Sequence, residues 1–181
     1  MKAYKLGLSL LALLVVATMV GCSTSTKSVD VSDSIRKSLD QAGLKDVTVS
    51  QDREKGVVTL GGHVAAEADK AQAESLAKSL AAGQVVANQI AVTPPGVESE
   101  AKTVNSDLDA GIEHNLDAAL ITNRLHEYVK FDVKNAVVTL TGEVRSTPER
   151  ARAEKVASSV PNVKQVVNEL QVKNQKATSS K

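Results

Sequence analysis

The chain has very little of what disulfide frameworks, metal centres and aromatic ligand sites require. Its 181 residues include one cysteine, three histidines, two tyrosines, one phenylalanine and no tryptophan. A lone thiol cannot pair within the chain or build a cysteine-rich metal site. The chain also has no large excess of charge of one sign, because its 22 basic and 21 acidic residues give a net charge of +1. Proteins that bind nucleic acid carry a strongly basic surface, so we exclude that class.

The N-terminal segment has the order of an export signal. Lys2 and Lys5 precede the apolar run Leu6–Val20, and Gly21 and the single cysteine, Cys22, follow it. The run has 15 residues, whereas a membrane-spanning helix needs about 17–25. We therefore interpret residues 1–21 as a signal peptide rather than a permanent transmembrane anchor.

The residues around the cleavage position resemble a bacterial lipobox. In that motif, cleavage before the cysteine leaves Cys22 diacylated on sulfur and acylated on its amine, and several acyl chains anchor a protein stably. Met19 stands where leucine is usual, and Ser23 rather than aspartate follows the cysteine. The resemblance implies a lipoprotein of the outer membrane that faces the periplasm. An ordinary signal peptide with an incidental cysteine is the alternative.

The remaining chain contains two copies of one sequence repeat. An offset of 80 residues aligns Gly56–Val92 with Ala136–Val172 without a gap, and 14 of the 37 aligned positions are identical. Upstream, Ile35 and Leu39 match Ile112 and Leu116 at an offset of 77. Two prolines and a glycine break the chain between the copies. We predict a tether at 22–28, domains at 29–92 and 97–172, a linker at 93–96 and a disordered tail at 173–181.

Each copy reads as helix, strand, strand, helix, strand. Apolar residues at three- and four-residue steps predict the first helix of the second copy: Val97, Ala101, Val104, Leu108, Ile112 and Leu116. Alternation predicts the strands, and Ser146-Thr147-Pro148-Glu149 has the composition of a helix start. The last strand of the second copy is predicted over Val166–Val172. The fold class is therefore α+β, with two tandem small domains, each a three-stranded mixed sheet packed against two helices.

Two residue types recur at structural positions of both copies. Gly62 and Gly142 lie on the core-facing side of the middle strand, and a glycine there indicates a close approach of backbone. We expect the partner to be the helix that carries Ala153 in the second copy. Asn88 and Asn168 recur on the last strand, where we expect their amides to satisfy loop backbone rather than bind a ligand.

The repeated pattern resembles the BON domain, named for bacterial osmotically inducible and nodulation proteins. The features that carry it are VVTLGGHV and VVTLTGEV, an alanine-rich helix after each, and closing strands VVANQIAV and VVNELQV. Ala136 departs from the usual turn glycine, and Asn135 can supply a left-handed residue instead. The resemblance implies the predicted fold and, for lipoproteins with two such domains, roles in outer-membrane integrity, envelope stress and phospholipid association.

The sequence shows no constellation that performs catalysis. His63 falls on the outward side of its strand, and His114 and His126 have no carboxylates at metal-ligand spacing. Neither a G-x-S-x-G turn nor a glycine-rich phosphate loop is present. Cys22 would be a thioether after acylation and hence no nucleophile. We therefore expect no enzyme, no cofactor and no metal.

Two non-enzymatic hypotheses remain open. In the first, the domains bind anionic phospholipid headgroups or an envelope protein. The candidate contacts are the basic residues around the second helix of the second copy: Arg145, Arg150, Arg152 and Lys155. The first helix of that copy carries four carboxylates between Thr103 and Asn123 and should repel anionic lipid. In the second hypothesis, a periplasmic chaperone-like protein binds exposed apolar segments of other proteins.

Overall fold

The computed structural model describes residues 27–173. Within that range no helix combines the length and the apolar character needed to cross a membrane. The predicted signal peptide, the acylation site Cys22 and the last eight residues of the predicted tail lie outside the described residues.

The order of elements confirms the α+β fold of two tandem units. The first unit comprises α1 (Ser32–Gln41), β1 (Val47–Asp52), β2 (Val57–Val64), α2 (Glu67–Leu80), β3 (Val85–Asn88) and β4 (Ala91–Val92). The second comprises α3 (Glu98–Thr122), β5 (Val129–Lys134), β6 (Val137–Val144), α4 (Thr147–Ser158), β7 (Gln165–Asn168) and β8 (Gln171–Val172). Each predicted closing strand is thus interrupted once and continues as a two-residue strand.

Each unit builds a mixed sheet around its middle strand. In the first, β2 pairs antiparallel with β1 and parallel with β3 and β4. Leu60, for example, lies opposite Val49 on one side and Asn88 on the other. The second unit repeats this arrangement, with β6 between β5 and the pair β7 and β8.

The helices of each unit pack on one face of its sheet. Alternation along β2 places Val58 and Leu60 on that face, where both are fully buried. They contact apolar residues of α1 and alanines of α2, whose small side chains let the helix lie close to the sheet. The second core has the same composition: Leu116 and Leu120 from α3, Ala153 and Ala157 from α4, and Val138 and Leu140 from β6.

The predicted alignment of the first helix of one copy with the first helix of the other, at an offset of 77, is wrong by one helical turn. The Leu44 N–H donates to the Leu39 carbonyl at 2.9 Å, and the Leu125 N–H donates to the Leu120 carbonyl at the same distance. Leu120 and Leu125 each follow their counterparts by 81 residues, so the partner of Leu39 is Leu120 and not Leu116. An offset of 77 fits the apolar pattern nearly as well because four residues return to the same face of a helix.

The first half of α3 is an addition to the repeated unit. Val31 corresponds to Ile112 at this offset, so residues 98–111 precede the part that matches α1. The predicted apolar stripe does not become buried here, because Val97 and Val104 are 45% and 64% exposed. Among the large apolar residues of the stripe, Leu108 is half-buried, and Ile112 and Leu116 are fully buried.

Candidate docking surface and domain junction

Arg145 lies where β6 ends and is held by Tyr128. Its guanidinium stacks over the Tyr128 ring, 4.3 Å from the centroid, and donates to the phenol oxygen. The Arg145 backbone N–H donates to the Glu149 carboxylate at 2.8 Å, and the Glu149 N–H donates to the Ser146 hydroxyl at 3.3 Å. Ser146 caps the first turn of α4, and Glu149 reaches back as in a capping box but to the N–H that precedes the cap, which explains why α4 begins here. Arg145 remains exposed on this support.

The other three predicted contact residues diverge around α4. Arg150 donates to the Asn168 carbonyl at 3.1 Å, on the flank that faces β7. Arg152 lies 3.9 Å from the Glu149 carboxylate, on the opposite flank. At about 100° per residue, Arg150 and Lys155 point about 140° apart around the helix. All are exposed, but the structure does not gather them with Arg145 into one patch.

Asn88 links the end of β3 to helix α2. Its amide nitrogen donates to the Glu74 carboxylate at 2.9 Å and to the Lys70 carbonyl at 3.4 Å. Its amide oxygen accepts from the Ile90 N–H at 3.4 Å, inside the break between β3 and β4. The side chain is nearly fully buried. Hydrogen bonds from Lys78 and then from Asn88 lower the pKa of the Glu74 carboxyl.

Asn168 repeats these contacts in the second unit. Its amide nitrogen donates to Glu154 at 2.9 Å and to the Arg150 carbonyl at 3.3 Å, and its oxygen accepts from the Leu170 N–H at 3.2 Å. The two asparagines therefore have a structural role, because each side-chain amide forms hydrogen bonds with backbone at the break between β3 and β4 or between β7 and β8.

Gly62 and Gly142 are approached by strand backbone, not by a helix. Both have positive φ angles, +84° and +119°. A Cβ on Gly62 would lie 2.0 Å from the Asp46 carbonyl oxygen, and one on Gly142 would lie 2.4 Å from the Tyr128 carbonyl oxygen. Our expectation that the alanine-bearing helix makes the close approach is wrong, since the crowding comes from the residues that precede β1 and β5.

The two units pack against each other through the other face of their sheets. Val57 and Ala87 of the first unit form a buried cluster with Val137 and Val167 of the second. The Gln165 side chain bridges the edges: its nitrogen donates to the Val86 carbonyl at 2.7 Å, and its oxygen accepts from the Asn88 N–H at 3.0 Å. The side-chain amide thereby pairs with β3 as a neighbouring strand would.

Polar contacts flank this cluster at two quasi-equivalent positions. Lys55, in the β1–β2 turn, donates to the Glu169 carboxylate at 2.6 Å. Asn135, in the β5–β6 turn, donates to the Gln89 carbonyl at 2.7 Å. Asn135 follows Lys55 by 80 positions, and Gln89 precedes Glu169 by 80 positions, so the two contacts join corresponding residues of the two units. The hydrogen bond from Lys55 to Glu169 raises the pKa of the lysine.

Asp109, one of the four carboxylates of α3 that we expect to repel anionic lipid, also has a structural role that the sequence did not predict. One carboxylate oxygen accepts from the Asn135 N–H and the other from the Ala136 N–H, both at 2.8 Å. Asn135 and Ala136 have φ angles of +50° and +64°, so both residues of this turn are left-handed. The sequence showed that Ala136 replaces the usual turn glycine, but it did not show that Asp109, 27 residues upstream, accepts a hydrogen bond from Ala136.

A groove of about 750 Å³ lies between α3, the end of β2 and the β5–β6 turn. Its walls include His63 and Thr93 of the first unit and Lys102 and Glu113 of α3. The Thr93 hydroxyl is buried without a partner among residues 27–173. Most of the lining side chains are polar or very small.

The histidines do not assemble a metal site within the described residues. His126 Nδ1 lies 2.9 Å from the Asp117 carboxylate, and His63 and His114 are exposed on different elements. In the range 27–173 no three His, Cys, Asp or Glu side chains are grouped so that they would hold a metal ion.

Comparison with known proteins agrees with the repeated pattern. The sequence profile of the BON domain family matches residues 28–94 and again 108–174. The chain is 28% identical to osmotically-inducible protein Y of Escherichia coli strain K12 over 137 residues, which are 75% of this chain and 67% of that protein.

Two solved structures of CdsD, a structural protein of the type III secretion system of Chlamydia trachomatis, show a weaker likeness. The first, a C-terminal domain, is 11% identical with a TM-score of 0.33 and covers 78% of this chain and 67% of its own. The second is 13% identical with a TM-score of 0.35, and the match covers 80% of this chain and 92% of the chain in that structure. Such scores carry no argument about function. The two profile matches span most of the chain, which therefore belongs to the BON domain family and carries two copies of the domain.

Proposed function

We propose that this protein is a non-enzymatic envelope lipoprotein that supports osmotic or envelope stress tolerance. The observation that carries the proposal is the pair of BON domains, together with the similarity over three quarters of the chain to a protein named for osmotic induction. Both domains are built from apolar cores and backbone-satisfying side chains, as in a binding or structural protein.

The membrane attachment in this proposal is covalent. Cys22 is acylated after removal of residues 1–21, and the anchored protein faces the periplasm from the outer membrane. The sequence supports this assignment because Cys22 is the only cysteine and follows an apolar run too short to span.

The domains then bind anionic phospholipid headgroups or an envelope protein. Arg145 and Arg150 are exposed near the end of the second unit where β6 and β8 finish, while Arg152 and Lys155 continue along α4. Chaperone-like binding of apolar segments is less well supported, because the 750 Å³ groove is lined mainly by polar side chains.

Acylation is tested by mass analysis of the mature protein and by Cys22→Ala. We expect acyl chains on the natural protein, and loss of membrane fractionation and of growth at high osmolarity for the variant. Thr24→Ala is the matched control and should behave as the natural protein does. Unchanged fractionation of Cys22→Ala, with no lipid mass on the natural protein, would refute the lipoprotein assignment.

Headgroup binding is tested with the chain from residue 23 onward and phosphatidylglycerol vesicles. We expect binding that weakens with salt, because exposed charges are screened over about 8 Å at physiological ionic strength. Changing the four predicted contacts to Gln should weaken it further. The control changes four exposed lysines elsewhere: Lys37, Lys45, Lys102 and Lys130. Equal losses in both variants, or no binding at low salt, would favour a protein partner.

A further inference from the structure

The chain is fixed to the first domain almost immediately after the proposed acylation site. The Ser28 N–H donates to the Arg53 carbonyl at 2.8 Å, and the Arg53 side chain donates back to the Ser28 carbonyl at 2.7 Å. Lys27 also lies 3.2 Å from the Glu54 carboxylate. Residues 27 and 28 are thus attached to the β1–β2 turn.

The length of the free tether limits how far this turn can lie from the membrane. Ser28 is six positions after Cys22, and a fully extended chain advances at most about 3.5 Å per residue. The β1–β2 turn therefore lies within roughly 21 Å of the acylated cysteine in any conformation of the tether. Among the described parts of the domain, this turn is thus the one whose distance from the bilayer is most tightly limited.

Exposed apolar side chains lie at the same end of the domain. Val29 follows the fixed serine and is 67% exposed, Val85 at the start of β3 is 48% exposed, and Leu80 at the end of α2 is 37% exposed. The Gln84 side chain donates to the Val29 carbonyl at 3.0 Å, and the Val85 N–H donates to the Gly56 carbonyl at 2.9 Å. We name Val29, Leu80 and Val85 the tether face.

Single exposed apolar residues are ordinary on a protein surface, so their placement is what matters. Val97 and Val104, at the cap and in the first half of α3, lie elsewhere, whereas Ile121 near the end of α3 lies beside Tyr128 and Arg145. Lys102 and Asn105, also in the first half of α3, line the groove with Gly62 and His63, at the far end of β2. That end is about 20 Å from the β1–β2 turn, at about 3.3 Å per strand residue.

The second domain presents two of the predicted basic contacts on the side of the tether face. Lys55 of the β1–β2 turn bonds Glu169, and the neighbouring Asn168 carbonyl accepts from Arg150. β8 continues from there beside the end of β6, which Arg145 follows. The junction thus brings the strand ends of the second domain to the same side of the molecule as the tether.

We propose that the tether face docks on the phospholipid bilayer that carries the acyl chains of Cys22, with Val29, Leu80 and Val85 at the headgroup level. This inference rests on the proposed acylation and adds an orientation. The β1–β2 turn of the first domain lies next to the bilayer, and Arg145 and Arg150 of the second domain are directed toward the lipid. The first half of α3, with its carboxylates, then points away from the anionic surface.

The experiment uses the full-length acylated protein, purified from membranes and reconstituted in vesicles of phosphatidylethanolamine and phosphatidylglycerol. Val85→Cys and Val29→Cys place a fluorescent thiol label on the tether face, and Val104→Cys is the matched control at an exposed valine. An acylated Cys22 is a thioether and does not react with the label. Nitroxide groups on the lipid headgroups then quench any fluorophore close to the surface.

We expect labels at 85 and 29 to lose most of their fluorescence, and the label at 104 to keep it. Equal quenching at all three positions, or none at 85 and 29, in protein whose acyl mass has been verified would overturn the orientation alone. Absence of acyl mass, with labelling of Cys22 itself, would overturn the lipoprotein proposal and the orientation together.

Discussion

Gly62 and Gly142 illustrate how a single atom can decide the course of a strand. Each glycine adopts a positive φ and lies against a carbonyl oxygen of the preceding strand segment. The predicted neighbour, the alanine-bearing helix, was wrong. Sequence periodicity reports which face a residue occupies, whereas the identity of the closest backbone atom depends on the local path of two chains.

We therefore expect Gly142→Ala to lower the free energy of unfolding of the second domain. The added Cβ would lie 2.4 Å from the Tyr128 carbonyl oxygen, and the left-handed backbone itself costs about 1–3 kcal/mol for a residue other than glycine. Urea denaturation measures the loss. Gly111→Ala is the control, because a Cβ there meets nothing within 4 Å in a helix, and it should be neutral or slightly stabilising. Equal effects of the two substitutions would contradict the account.

The recurring asparagines were predicted to bond loop backbone, and each amide oxygen accepts a backbone N–H across the strand break. The partners of their nitrogens, Glu74 and Glu154, were not predicted. The same limit applies to Arg145, whose charge is evident in the sequence while its stacking on Tyr128 is not. A repeat indicates that a side chain has a role; only the fold supplies the partner.

At the scale of elements, α3 differs most from what the sequence predicted. Its apolar spacing correctly indicated one helix, but the spacing continues through residues that remain exposed. The register error of one turn has the same origin, since the helix pattern repeats every three or four residues. The extension matters because it carries Asp109 to the β5–β6 turn of the same unit.

Asp109→Ala should destabilise the second domain by about 1–3 kcal/mol, because the N–H donors of half-buried Asn135 and buried Ala136 would lose their acceptor. Thermal unfolding followed by circular dichroism measures the change. Asp107→Ala removes an exposed carboxylate two residues away and should leave stability within error of the natural protein. If both variants behave alike, the turn does not depend on Asp109.

At the scale of the whole molecule, the two domains form one body with approximate two-fold symmetry. Corresponding valines meet in the junction, and the turn of each domain contacts the strand break of the other. The sequence predicted the tandem arrangement from its repeat. It could not predict this packing, because the outward residues of one sheet face look alike whether they meet solvent or a neighbouring domain.

Val167→Asp should separate the domains without unfolding them. The residue is fully buried in the junction and absent from the core of its own domain, so separation would return the new carboxylate to water. Small-angle scattering should then show a larger radius of gyration, and calorimetry should show two unfolding transitions. Val104→Asp, at an exposed position, should change neither. A single transition and an unchanged radius for Val167→Asp would show that the junction does not hold the domains together.

The Gln165 amide has a consequence for solubility. Its hydrogen bonds to Val86 and Asn88 occupy main-chain groups that the outer strand of the first sheet would otherwise offer to any extended polypeptide. Exposed strand edges of this kind are templates for aggregation. The first domain produced alone would leave β3 uncovered. The second copy thus covers this edge of the first, and joining the two copies in one chain keeps the edge covered at any protein concentration.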